Sequence, residues 1–232
     1  MSEPAELDAI RERYERRAKL PADLYSRFSA EVLARLHERQ RVMVRMMASH
    51  GVRSLEALDV IEVGCGSGAN LIEFLGLGAL PEHLVGNELL ADRLDQARRL
   101  LPSAVRLMPG DAGSLALPDE SFDVVLQSTV FSSILDDGLQ SRLASAMWTW
   151  LRPGGAVLWY DFTFDNPRNP DVRGVPLARI RELFPQGRID ARRITLAPPI
   201  ARRVCRIHPF LYTVLNALPF LRTHLLCWIE KP

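Results

Sequence analysis

The stretch Leu58-Asp59-Val60-Ile61-Glu62-Val63-Gly64-Cys65-Gly66-Ser67-Gly68-Ala69-Asn70 decides the fold. It begins as an apolar, β-branched run, the composition of a strand buried on both faces. It then breaks into three glycines at alternate positions, Gly64, Gly66 and Gly68. Beyond them Leu71, Ile72, Phe74 and Leu75 recur at helical spacing. Strand, glycine turn, helix is the arrangement that brings backbone N–H groups close to an extended ligand. A side chain at Gly64 or Gly66 would fill the space such a ligand needs. Read as Gly-x-Gly-x-x-Ala, with Ala69 last, the run also fits a dinucleotide fingerprint. A tight turn with no ligand is the plainer alternative.

Working outward, strands and helices alternate. His83-Leu84-Val85-Gly86-Asn87-Glu88 is a second strand ending in a carboxylate, about 20 residues past the glycines, with Leu89 beside it. Rossmann-like folds place there the acid that accepts from ribose hydroxyls. Two vicinal hydroxyls need two acceptors, and each charge-assisted bond is worth roughly 1.5–3 kcal/mol. Residues 91–101 read as a helix, 105–108 as a third strand before Pro109-Gly110-Asp111-Ala112, and 122–127 as a fourth strand. A helix over 137–151 leads through Leu151-Arg152-Pro153-Gly154-Gly155 into a fifth strand, 156–161. This alternation calls for a parallel, doubly wound sheet.

After Asp161 the pattern falters. Asp165-Asn166-Pro167-Arg168-Asn169-Pro170-Asp171 favours extended turns, at a strand end where loops meet substrates. A helix over 176–184, a strand over 189–196 and a last strand over 224–230 follow, with an insert at about 198–220. The insert carries Arg202, Arg203, Arg206 and His208 ahead of an apolar run from Phe210 to Leu215. A basic-then-apolar helix can lie on a membrane surface. The run is short and the basic residues few, so packing against the domain beside the site is the favoured reading.

Ahead of the first strand, residues 5–19 and 22–49 read as two helices, the second with a stripe of Leu24, Phe28, Val32, Leu36, Val42 and Met46. They make an N-terminal helical arm over residues 1–52, leaving 53–232 as the main domain. Tyr14, Tyr25 and Phe28 either pack the arm onto the domain or close a lid over the glycine turn.

Composition narrows the function. A net charge of +1 over 232 residues predicts no strong nucleic-acid field. Cys65, Cys205 and Cys227 are odd in number and scattered, which suggests neither disulfides nor a zinc site and points to a reducing cytoplasm. The charged first 20 residues do not read as a signal peptide, and no run of about 18 apolar residues predicts a membrane span. No metal-ligand set stands out.

Five motifs in order give the chain a resemblance. Glu62-Val63-Gly64-Cys65-Gly66-Ser67-Gly68, Glu88, Gly110-Asp111-Ala112, Phe122-Asp123-Val124-Val125 and Leu151-Arg152-Pro153-Gly154-Gly155 resemble those of class I S-adenosylmethionine-dependent methyltransferases acting on small molecules. The resemblance covers roughly residues 55–165. It implies a Rossmann-like sheet of order 3-2-1-4-5-7-6 with strand 7 antiparallel, and S-adenosylmethionine as cofactor. It implies that Glu88 binds the ribose, that Asp111 and Ala112 meet the adenine, and that Gly64, Cys65, Gly66 and Gly68 cradle the amino-acid end. Glu62 would orient the turn or reach the ammonium through water. Asn87 departs from the family, which favours an apolar residue there. Gln127-Ser128-Thr129 stands where base-directed methylases carry an Asn/Asp-Pro-Pro-aromatic motif, which argues against a nucleic-acid partner. A narrower likeness of Leu158–Phe162, Asn166-Pro167, Asn169-Pro170 and Arg173 to a bacterial methyltransferase subgroup implies no substrate.

Methyl transfer from a sulfonium needs alignment and water exclusion more than proton transfer. Gln127 and Ser128 are expected near the transferring methyl. Asp161 and Tyr160 are the candidates for orienting or deprotonating the acceptor, with a loop anchor as the alternative for Asp161. Tyr14, Tyr25 and Asn166 are the candidate lid or substrate residues. The resulting expectation is a methyltransferase for a small acceptor, at oxygen, with no nucleic acid. A catalytically silent cofactor-binding module and a nicotinamide-dependent oxidoreductase are the alternatives.

Overall fold

A computed structural model describes residues 3–18, 26–166 and 169–232. Seven strands form one sheet: β1 (Val60–Val63), β2 (Leu84–Glu88), β3 (Arg106–Pro109), β4 (Phe122–Ser128), β5 (Leu151–Phe162), β6 (Arg188–Leu196) and β7 (Arg222–Glu230). Their order is β3-β2-β1-β4-β5-β7-β6. The first five run parallel, and β7 enters antiparallel between β5 and β6. Among the described residues the helices are α1 (Glu3–Ala18), α2 (Ala30–Ser49), α3 (Ala69–Gly76), α4 (Ala91–Leu100), α5 (Asp137–Trp150), α6 (Leu177–Leu183), α7 (Pro198–Ile207) and α8 (Phe210–Asn216).

Both faces of the sheet are covered, which is why its central strands read as unbroken apolar runs. Val157 and Trp159 enter a core with Met147, Trp150 and Phe184. Their neighbours Leu158 and Tyr160 enter the opposite core with Met43, Met46 and Phe74. A small third cluster joins Leu196, Ala201, Cys205 and Tyr212. It is anchored by the buried Glu38 carboxylate, which accepts from Tyr212 Oη at 2.6 Å, Asn216 Nδ2 at 2.5 Å and the Thr195 amide.

Three boundaries differ from the sequence reading. The second helix starts at Ala30 rather than Ala22, because Ser26 draws the Phe28 amide into a side-chain turn and Ser29 is extended. Phe28 is therefore fully exposed instead of joining the apolar stripe. The Leu-Arg-Pro-Gly-Gly segment is the start of β5, since Gly154 and Gly155 exchange backbone bonds of 2.8 Å with Lys231. The insert is two helices, divided where His208 turns extended and its Nδ1 accepts from the Phe210 amide at 3.2 Å.

Candidate active site

The glycine turn follows the carboxyl end of β1. Gly64, Gly66 and Gly68 have φ of 64°, 57° and 84°, the left-handed region that costs a side chain strain. A Cβ on Gly64 would lie 2.6 Å from Val130 Cγ2, and one on Gly68 2.7 Å from Leu101 Cδ1. The close neighbours at these two positions are thus protein side chains. At Gly66 the nearest atom is an Arg93 nitrogen at 3.7 Å, so there the backbone angle alone requires glycine. Cys65 donates its amide to Asn87 O at 2.8 Å, while its side chain packs into the core beside Leu71. Burial pushes its thiol up, so Cys65 contributes backbone and packing rather than a thiolate.

Glu88 ties the first two strand ends together. Its Oε2 accepts from the Gly66 amide at 2.8 Å and its Oε1 from the Leu90 amide at 2.9 Å. Each oxygen keeps a second lone pair for a further donor. Asn87, the departure from the family pattern, does structural work next door. Its Nδ2 donates to Met108 O at 3.2 Å and Gly110 O at 2.9 Å, fixing the turn after β3. Asp111 in that turn accepts from the Gly113 amide at 3.1 Å, Ser114 Oγ at 2.8 Å and Arg142 at 3.0 Å.

These strand ends line one cleft of about 580 Å³, counting its mouth. Gly64, Asn87, Glu88, Leu89, Gly110, Asp111 and Ala112 form one side, and Val130, Ser133, Ile134, Leu139 and Leu143 the other. Leu7, Ile10 and Tyr14 of α1 cover it. The cover is held by a buried pair, Arg13 with Glu6 at 2.9 Å. Arg13 also donates to Ser133 O at 3.0 Å, and Glu6 accepts from the Leu135 amide at 2.8 Å. Burial pushes the Glu6 carboxyl up, but these donors outweigh it and hold it below the usual carboxylate range. The guanidinium groups of Arg93 and Arg17 lie over the Tyr14 ring, at 4.6 and 4.9 Å from its centre. Tyr25 lies outside the described residues.

Two buried groups at neighbouring strand ends have polar atoms without partners. Glu62 Oε1 accepts from Asn70 Nδ2 at 2.5 Å, while its Oε2 has no partner. Burial pushes the Glu62 carboxyl up to about 8, against the Asn70 bond and the Arg39 charge. Gln127 Oε1 accepts from the Val130 amide at 3.2 Å, and its Nε2 has no partner. Val63 and Gln127 are paired across β1 and β4. Gln127 thus shares a sheet face with Val63 while Glu62 points to the other face, so the two unsatisfied atoms lie on opposite sides of adjacent strand ends. Unsatisfied buried polar atoms cost free energy, and each suits a polar ligand that reaches it. Ser128 Oγ accepts from Arg39 at 3.3 Å, and Arg39 also binds Asn70 at 2.7 Å and Glu73 at 2.6 Å.

Asp161 and Tyr160 are adjacent in β5 and therefore point to opposite faces of the sheet. Asp161 is fully buried, accepting from the Ser132 amide at 3.1 Å and the Phe162 amide at 2.9 Å. Burial pushes its carboxyl up to about 7. Tyr160 Oη bonds Thr195 Oγ1 at 2.9 Å, and its ring stacks on His224. Neither side chain lines the cleft. Asn166 is exposed, also outside the cleft lining, and its carbonyl accepts from the Asn169 amide at 2.9 Å.

The sequence reading missed Arg39, Arg142 and the Glu6–Arg13 pair. The last had a signal, since residues seven apart on a helix share a face. Arg39 and Arg142 had none, because tertiary packing alone brings them to the strand ends. Among the described residues no group of three or more His, Cys, Asp or Glu is placed to hold a metal ion. None of their helices is long and apolar enough to cross a membrane.

Residues 60–155 match a sequence family described as a methyltransferase domain. No curated protein matches the chain. Among solved structures, one similar to this chain is a protein of Pyrococcus horikoshii, with a TM-score of 0.65 at 14% identity over 94% of this chain and 99% of that one. An S-adenosylmethionine-dependent methyltransferase of Mesorhizobium loti gives 0.61 at 18% identity, covering 83% of this chain and 98% of that one. The 1,6-didemethyltoxoflavin-N1-methyltransferase of Burkholderia thailandensis, solved with its acceptor and S-adenosylhomocysteine, gives 0.63 at 16% identity over 100% and 92%. At these identities the structural likenesses show the fold.

Proposed function

We propose that the chain is a class I S-adenosylmethionine-dependent methyltransferase, on the strength of its methyltransferase-domain match and sheet order, and that it methylates a small molecule at an acidic oxygen. The carrying observation is the covered cleft: an acceptor has to fit beneath α1, which is pinned by the Glu6–Arg13 pair. That favours a small molecule over a polymer. The Burkholderia neighbour was solved with bound 1,6-didemethyltoxoflavin, although it is an N1-methyltransferase.

The residues present fit the cofactor. Gln127 Nε2 is a buried donor without a partner on the face of Val63, which lines the cleft, and suits the carboxylate of an amino acid; Glu62 Oε2, on the opposite face, would reach the ammonium only around the end of β1. The glycine turn and Ser128 complete that end. Glu88, with spare lone pairs, suits the ribose hydroxyls, and Leu89, Asp111 and Ala112 the adenine. The bound cofactor supplies a methyl group activated by a sulfonium. The protein has to align the acceptor and exclude water. Tyr14 with its two stacked arginines serves as the lid.

The carboxylates lining the cleft, Glu88 and Asp111, already accept from two or more donors each. Neither is poised as a general base. The acceptor therefore brings a readily lost proton, as a phenol, enol or carboxylic acid does. Asp161 acts as a positioning residue, since its bond to Ser132 sets the segment that carries Val130, Ser133 and Ile134 into the cleft.

The test is incubation with S-adenosylmethionine and a panel of phenols, carboxylic acids, aliphatic alcohols and amines, read by mass. Phenols or acids should gain one methyl. Equal turnover of aliphatic alcohols would remove the acidic-oxygen reading, and products on amines alone would place the chemistry at nitrogen. Tyr14→Ala should lower kcat without moving the unfolding midpoint.

A further inference from the structure

The insert before β7 turns a basic and apolar surface outward. On α7, Ala201 and Cys205 pack inward. Arg202, Arg203 and Arg206 occupy the outer face and are exposed. On α8, Tyr212 and Asn216 are buried. Phe210 and Val214, four apart, lie on the other side of α8, and Leu218 follows in the extended turn after the helix. They are 63%, 45% and 41% exposed, and Ile207 and Phe220 at the two ends are 78% and 74% exposed. Single exposed apolar residues are ordinary on a protein surface, but here five fall within fourteen residues of two short helices and the turn after them, the kind of cluster that serves as an interaction site.

Charge indicates the partner. From Ala191 to Ile229 the sequence contains six arginines and no Asp or Glu. No ion pair involving Arg202, Arg203 or Arg206 forms among the described residues. A second copy of this chain meeting the patch about a two-fold axis would set these arginines against themselves. Arginines beside a cluster of Phe, Leu, Val and Ile instead match a surface with anionic heads above hydrocarbon.

We propose that α7, α8 and the following turn dock the enzyme on an anionic lipid surface. The arginines would lie at the phosphate level, with Phe210 and Phe220 inserted at the boundary with the acyl chains. This contact is peripheral and leaves the fold unchanged.

The test is sedimentation of the full chain with vesicles of phosphatidylglycerol and phosphatidylcholine, or of phosphatidylcholine alone. Binding is expected only to the anionic vesicles and should weaken as salt rises. Arg202→Gln, Arg203→Gln and Arg206→Gln together should weaken partitioning roughly a hundredfold. Phe210→Ser with Phe220→Ser should weaken it roughly tenfold or more. Unfolding midpoints should stay in place, and if the double variant unfolds, Phe220→Ser alone gives the same readout. Absence of binding, or equal binding by the variants, overturns the proposal. Concentration-dependent dimerisation lost in the Phe variant, without vesicle binding, assigns the patch to a second copy and also overturns it.

Discussion

The two edges of the sheet carry the same kinds of side chain and use them in opposite ways. At the amino-terminal edge, Asp59 Oδ1 meets His83 at 2.7 Å and Oδ2 meets Arg152 at 2.8 Å, while Arg152 also holds Asp123 at 2.7 Å. Burial pushes the Asp59 carboxyl up, but His83 and Arg152 outweigh it and hold it below the usual range. At the carboxyl edge, Glu62 is deeper, keeps one oxygen without a partner and is pushed up to about 8. A satisfied cluster contributes to stability alone. An unsatisfied one costs stability and gains it back when a ligand completes it. The contrast points to the carboxyl edge as the one with polar atoms left for a ligand, in keeping with the rule that open α/β sheets bind ligands at their carboxyl ends.

The largest effect expected from breaking this contrast is at the glycine turn. Gly64→Val combines a branched side chain at positive φ with a contact to Val130 and should cost about 4 kcal/mol in urea unfolding. A loss below roughly 1 kcal/mol would show that the turn relaxes freely.

Glu62 comes next, through pH. Its folded pKa is above its unfolded one, so the folded chain holds the proton more tightly. Stability should therefore fall as pH rises from about 5 to about 8, by an amount on the order of 3 kcal/mol. Glu62→Gln should remove that slope. Parallel unfolding midpoints for the two proteins across the range would contradict the buried, unpaired state.

The smallest effect belongs to the opposite edge. Arg152→Ala should cost about 1 kcal/mol of stability, because the pairs there are part-exposed and screened. It should leave affinity for S-adenosylhomocysteine unchanged, and a weakened affinity would mean that the two edges are coupled.

Much of the carboxyl edge was legible because its residues sit at fixed offsets from strand ends. The glycines and Gly110-Asp111-Ala112 follow their strands directly, Glu88 closes β2, and the alternation of apolar runs gives the sheet. Asn87 was visible only as a departure, and its bonds across to Met108 and Gly110 explain why a polar residue stands there. Roles for Asp161 and Tyr160 were harder to read, because period-two alternation sends neighbours to opposite faces while position alone marks both as strand-end residues. The start of α2 was hidden by Ser26, whose capture of the Phe28 amide has no periodic signature, and by the extended backbone of Ser29. The outward apolar side of α8 was equally hidden, since a short apolar run does not say which of its sides a neighbour covers.

The central claim, that the carboxyl edge is a cofactor site waiting for polar partners, is tested most directly by calorimetric titration with S-adenosylhomocysteine. One-to-one binding is expected for the wild type and for Arg152→Ala alike, and Glu88→Ala should weaken it by roughly 2–4 kcal/mol. Unchanged affinity in Glu88→Ala, or tight NAD binding with no response to S-adenosylhomocysteine, would contradict the account.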